Sequence, residues 1–146
     1  MTKAVRRKVV VYCVDGERLL VFRHLDHPPE AVGVQVPAGS IRDDEAPRDA
    51  ALRELREETG REGFEIVEDL GLATYDITPY RAEIQHRHFF LARPTAALPE
   101  RWAASENHDG QAAPTRLECF WIPLSAAHVL QAGQGAMIWR LFEPKA

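Results

Sequence analysis

The segment Pro47 to Gly60, Pro-Arg-Asp-Ala-Ala-Leu-Arg-Glu-Leu-Arg-Glu-Glu-Thr-Gly, leaves its backbone little choice. Pro47 suits a first helical turn, where its missing N–H is no loss. Ala50, Ala51, Leu52, Glu54, Leu55 and Arg56 are strong helix formers, and Gly60 suits the residue that stops a helix. At about 100° per residue, with Glu54 at 0°, Glu57 falls near 300° and Glu58 near 40°, whereas Leu55 and Leu52 fall near 100° and 160°. Three carboxylates therefore share one face. The leucines form a separate stripe that can pack on a sheet, so the acidic face is expected to look across a cleft or into solvent.

Electrostatics make that face unusual. The trio lies in the last turns of the helix, where the dipole disfavours negative charge by roughly 0.3–1 kcal/mol per group, and three- and four-residue spacings add like-charge repulsion. Arg53 and Arg56 compensate in part. A hard divalent cation does so better: clustered carboxylates without interleaved Cys or His suit Mg²⁺, with Mn²⁺ as the alternative, rather than Zn²⁺. Between Asp43 and Glu68 ten acidic residues face four basic ones, a local net charge of −6 in a chain of −4, which leaves the remainder at +2.

The rest of the chain reads as one α/β domain over residues 1–146. With 45% hydrophobic and 27% charged residues, disorder and fibrous repeats are excluded, and the overall acidity argues against a nucleic-acid polymer as partner. Lys8–Val14 and Arg18–Phe22 form a hairpin through Asp15-Gly16. Further strands are expected at Val32–Pro37, Phe64–Ile77 (broken near Gly71), Glu83–Arg93 and Arg116–Ile122, and short helices at Pro123–Gln131 and Ala136–Phe142. Residues 94–114 lack periodicity and read as a long loop of the kind that carries function. Cys13 and Cys119 sit in apolar runs and read as buried free thiols. The apolar run after the basic N-terminus is too short for a signal peptide, and none approaches a membrane span, so a cytoplasmic protein is expected.

Gly39, Glu45, Arg53, Glu54, Leu55, Glu57, Glu58 and Gly60 match, at every interval, the signature of the Nudix (MutT-like) hydrolase family, which this chain therefore resembles. The last signature position, normally aliphatic, is Arg61. The resemblance implies a Nudix-type α/β/α sandwich with a mixed sheet, a loop-helix-loop box and short C-terminal helices. It also implies Mg²⁺-dependent hydrolysis of a pyrophosphate bond in a nucleoside diphosphate linked to another moiety.

Carried over residue by residue, Glu54, Glu57 and Glu58 would hold metal, with Glu45 as accessory ligand or loop anchor. Arg53 would orient the carboxylates, and Gly39 would give close backbone geometry beside the phosphates. In related enzymes the general base is a box glutamate, here Glu57, or an acid on a later loop. Glu106 and Asp109 are the first candidates of the latter kind, with Glu118 and Glu83 behind them. Subfamily markers, a proline for ADP-ribose hydrolases or a tyrosine for dinucleoside polyphosphate hydrolases about 16 residues beyond the box, are not met at Ile77, although Tyr75, Pro79 and Tyr80 are near. Trp102, Tyr80 and Phe22 are conceivable base-stacking groups, with ordinary packing the simpler reading. Many members pair, so a homodimer is one expectation. Two rival readings stand: a catalytically idle Nudix domain that binds a nucleotide and regulates a partner, and an acidic-helix interaction module.

Overall fold

The structure is a computed structural model that describes residues 2–28, 33–107 and 113–143. Among the described residues seven strands and one α-helix follow in the order β1 (Ala4–Asp15), β2 (Arg18–His24), β3 (Ala38–Ser40), α1 (Pro47–Thr59), β4 (Phe64–Asp76), β5 (Glu83–Pro94), β6 (Arg101–Glu106) and β7 (Thr115–Pro123). Two 3₁₀ turns, Leu124–Val129 and Ile138–Phe142, close the described chain. The strands form a mixed sheet in the order β4-β5-β1-β2-β7-β6, with β1 parallel to β5 and β3 paired to β1.

Alternation along β1 divides the core. Val9, Val11 and Cys13 pack on one face with Ala50, Ala51 and Leu55 of α1. Val10 and Tyr12 pack on the other with Ala127 and residues around the 3₁₀ turns, including Leu124, Met137 and Leu141. The sandwich is thus present, but its second outer layer is 3₁₀ rather than α-helical. Among the described residues no helix is long and apolar enough to cross a membrane.

β1 and β2 pair only beside their turn, at Val14–Leu19 and Asp15–Arg18, and then diverge. Residues 33–40 fill the opening. Gln35 and Phe22 exchange backbone hydrogen bonds of 3.0 and 2.8 Å, Val11 N–H donates to the Pro37 carbonyl at 2.9 Å, and β3 pairs with Lys8–Val10. The strand expected at Val32–Pro37 is therefore corrected. Val32 lies outside the described residues, and the ladder proper begins only after Pro37, which has no N–H to give it.

The second correction is β6, which lies within the stretch read as loop. Its apolar content is low, yet burial alternates residue by residue, and Trp102 and Ala104 pack against the α1 side of the core. Gly71 does not end β4. It takes a positive φ of 99° at a bulge whose N–H is held by Asp69, and pairing with β5 resumes beyond it.

Candidate active site

α1 ends as its sequence dictates: Gly60 adopts φ 68° and donates its N–H to the Arg56 carbonyl. Its carboxylates are less open than the helical wheel suggests. Glu54 and Glu58 are 7% and 3% exposed, roofed by β3, while the Glu57 side chain is 40% exposed. The β1 pairing sets this arrangement: Gly39 lies opposite Val9 and so turns toward α1. A Cβ on Gly39 would overlap the Glu54 carboxylate, so only glycine lets the strand and that carboxylate both keep their present places. The Ala38 N–H, on the same strand, donates to Glu58 Oε1 at 2.9 Å.

Arg53 braces the group with its whole fork. Nε and Nη2 donate to the two Glu45 oxygens at 2.8 and 3.0 Å, Nη1 to Glu54 at 2.9 Å and Glu57 at 3.2 Å, and Nη2 also to the Ser40 carbonyl at 2.8 Å. Glu45 additionally accepts from the Arg42 N–H at 3.1 Å. Its carboxyl is held down at about 2, chiefly by the Arg53 hydrogen bonds. Both Glu45 oxygens are thus engaged in tying the loop to Arg53.

Burial pushes Glu54 up to about 6 and Glu58 well above the usual carboxylate range, with the charges of Glu54 and Glu106 adding to the Glu58 shift. Such desolvated, mutually repelling, oxygen-only donors are chemically suited to a hard divalent cation. Among the described residues no three acidic, histidine or cysteine side chains are gathered around one metal-sized point; Glu57 is turned to Arg53 and, at 3.8 Å, to Arg42.

Glu106 reaches this cleft because β6 alternates. Trp102 and Ala104 face α1, so Glu106 does too, and it lines a cleft of about 770 Å³ with Lys8, Gly39, Arg53, Glu54 and Glu57 among others. Glu118 is placed elsewhere. Its neighbours Leu117 and Cys119 face α1, so it lies on the opposite face, held by Arg23 at 2.8 Å and Arg101 at 2.6 Å. Glu83 pairs with Gln85 and Arg6 on that opposite face as well. Asp109 and His108 lie outside the described residues.

Two of the three conceivable stacking groups pack instead, whereas Tyr80 is 81% exposed with the Arg81 guanidinium 5.2 Å from its ring centre. Phe22 is 4% exposed, and Trp102 donates Nε1–H to the Thr59 carbonyl at 2.8 Å and is covered by the Arg61 guanidinium, 5.0 Å from its ring centre. Burial raises both thiols to about 12, as expected of inert core cysteines.

Fold and site together define an α/β domain that presents an arginine-braced glutamate helix to a strand-rimmed cleft. The chain belongs to the NUDIX domain family, whose model matches residues 4–139. It is 31% identical over 98 residues to an ADP-ribose pyrophosphatase of Bacillus subtilis (strain 168), which covers 67% of this chain and 51% of that protein. It is 50% identical over 46 residues to Nudix hydrolase 25 of Arabidopsis thaliana, covering 31% of this chain and 26% of that one. The chain thus spans about a quarter to a half of the lengths of these relatives. Its fold is shared with a MutT NUDIX hydrolase from Burkholderia pseudomallei, at a TM-score of 0.70 and 18% identity over 95% of this chain and 99% of the other.

Proposed function

We propose that this protein is a Mg²⁺-dependent pyrophosphohydrolase that cleaves the phosphoanhydride of a nucleoside diphosphate linked to a second moiety. The observation that carries the reading is the convergence on one cleft of Glu54 and Glu57 from α1, Arg53 bracing both, and Glu106 from the far edge strand β6, with Glu58 buried beside them under the charges of Glu54 and Glu106. The similarity to an ADP-ribose pyrophosphatase supports a nucleotide joined to a sugar as one substrate of this class.

Glu54, Glu57 and Glu58 would hold the metal, which when bound neutralises phosphate charge and acidifies a coordinated water. Arg53 keeps two of those carboxylates in fixed positions, and Glu45 keeps Arg53 in its own. Glu106 stands on a different element and is suited to take the proton from the attacking water. The water oxygen bonds to phosphorus, and the bridging oxygen departs with its electron pair on the second monophosphate. Gly39 keeps the roof over Glu54 thin enough for a phosphate to approach.

A screen of ADP-ribose, nucleotide sugars, dinucleoside polyphosphates and nucleoside triphosphates, with Mg²⁺, Mn²⁺ or EDTA, tests the reading. Metal-dependent release of a nucleoside monophosphate is expected, with loss in Glu57→Gln. Wild-type turnover by Glu57→Gln would remove the metal assignment. The idle-domain reading requires nucleotide binding without hydrolysis across the whole panel; no box carboxylate is missing to favour it.

A further inference from the structure

Behind the roof strand lies a second cavity, of about 200 Å³, lined by Lys8, Ala38, Gly39, Gln85, Arg87 and Gln134 together with two β1 valines. Lys8, Ala38 and Gly39 also line the carboxylate cleft, so β3 is a wall one strand thick between the two spaces. The alternation that turns Gly39 toward α1 turns Lys8, Gln85 and Arg87 to the other face, where Lys8 and Arg87 are register partners in the parallel β1–β5 pair. Lys8 is tied to the wall by Nζ donating to Ser40 Oγ at 2.7 Å.

Arg87 is the unusual member. It is 7% exposed, and its partners are neutral: Gln85 Oε1 accepts from Nε at 3.0 Å, the Ala132 carbonyl from Nη1 at 2.5 Å, and the Tyr75 ring lies 4.2 Å away. Among the described residues no carboxylate pairs with it. The nearby Glu83 accepts from the Gln85 amide at 2.8 Å, sits 3.6 Å from Arg6 and faces Lys8 and Arg81, while Lys8 also faces Glu54 across the wall. A buried guanidinium without an anion is costly unless one arrives.

The surrounding chain is built to keep it there. Gly133, at φ 73°, lies so close to Tyr75 that a Cβ would meet the ring at 2.8 Å, and that closeness puts the Ala132 carbonyl on Arg87. Gln134 is fixed at both ends: its side-chain oxygen accepts from the Val36 N–H at 2.8 Å and its carbonyl from the Tyr12 hydroxyl at 2.5 Å. With Oε1 so engaged, the amide NH₂ is the end available as a donor.

On the pyrophosphohydrolase reading, we propose that this cavity is the subsite for the moiety on the far side of the scissile pyrophosphate, and that Lys8 and Arg87 select a moiety carrying a negatively charged phosphate or carboxylate. Substrates of this class then bridge β3, with the anhydride against the glutamates and the distal anion against Arg87.

The test is equilibrium binding in EDTA, which needs no turnover, on matched pairs differing by one anionic group on the moiety beyond the pyrophosphate: ADP-ribose 1″-phosphate against ADP-ribose, ADP-ribose 2″-phosphate against ADP-ribose, and UDP-glucuronate against UDP-glucose. At least one pair should show a preference of about tenfold or more for the charged member. The phosphate pairs and the carboxylate pair distinguish the two anions. The preference should collapse toward unity in Lys8→Gln and Arg87→Gln and persist in Arg87→Lys. If Arg87→Gln does not fold, Lys8→Gln decides alone. Absence of binding, a preference below tenfold in every pair, or one surviving the Gln substitutions overturns the proposal. Turnover of the same pairs with Mg²⁺ is read separately: selective binding without hydrolysis sinks the pyrophosphohydrolase reading and leaves the subsite standing.

Discussion

Gly39 and Glu54 occupy the same few ångströms: the glycine Cα faces the carboxylate so closely that an added methyl group would coincide with it. Neither residue is adjustable without the other, because β3 is pinned to β1 by its ladder and Glu54 is held by Arg53 at 2.9 Å.

Gly39→Ala should therefore act on chemistry more than on folding. The far end of the Glu54 side chain can swing aside, so the melting temperature should move little. A displacement of about 1 Å at a positioned group is enough to lower turnover on the order of 100-fold. Steady-state kinetics beside thermal denaturation check this; unchanged kcat/KM would show that Glu54 does not need its present place.

Arg53→Lys keeps the charge and loses the planar fork that serves Glu45, Glu54, Glu57 and the Ser40 carbonyl. Activity at saturating Mg²⁺ should fall about 10- to 100-fold and the Mg²⁺ requirement should rise. A metal titration of turnover measures both, and an unaltered Mg²⁺ midpoint would argue against a positioning role.

Burial raises the folded-state pKa of Glu54 from 4.5 to about 6. In EDTA the unfolded chain then releases its proton first, so this group's contribution to stability is present below pH 4.5 and is lost as pH rises through 6. Urea denaturation across that window should show the decline in wild type and a smaller one in Glu54→Gln. Added Mg²⁺ should restore stability at neutral pH by mass action, by about 2.7 kcal/mol at a hundred times the dissociation constant. A metal-insensitive midpoint at pH 7 contradicts the assignment.

Glu106 and Glu118 were both legible as acids near a long loop, and the sheet separates them. Glu106→Gln should lower kcat by about 10²–10⁴, the range for removing a general base, whereas Glu118→Gln should stay near wild type. Equal effects in the two variants would dissolve the distinction.

Arg61 stands where the family signature has an aliphatic residue, and its Nε is buried without a hydrogen-bond partner among the described residues while the guanidinium covers Trp102. Arg61→Leu removes that unsatisfied donor and keeps an apolar cover on the indole. The variant should be more stable by about 1 kcal/mol, at the low end of the cost of an orphaned buried donor. Chemical denaturation decides; destabilisation would mean that the guanidinium–indole contact outweighs the orphaned nitrogen.

What the sequence determined was local. Pro47, the helix-forming run and Gly60 bound α1, and the 3.6-residue period alone puts Glu54, Glu57 and Glu58 on one face with Arg53 beside them. The hairpin at Asp15-Gly16, the long strands β4 and β5 and the buried thiols were legible for the same reason: each follows from residues close in the chain. Tertiary structure decided the rest. Which carboxylates are desolvated depends on β3 being folded back over α1, and β3 is there because β1 and β2 diverge, which neither strand's sequence announces. Strand β6 was missed because its few apolar residues signal nothing until Trp102 and Ala104 have a helix to pack on. That packing is what brings Glu106 within reach of Glu58, 48 residues earlier. The side of a sheet on which a lone acid falls is fixed by pairing with strands distant in sequence, so Glu106 and Glu118 could be told apart only in the folded protein.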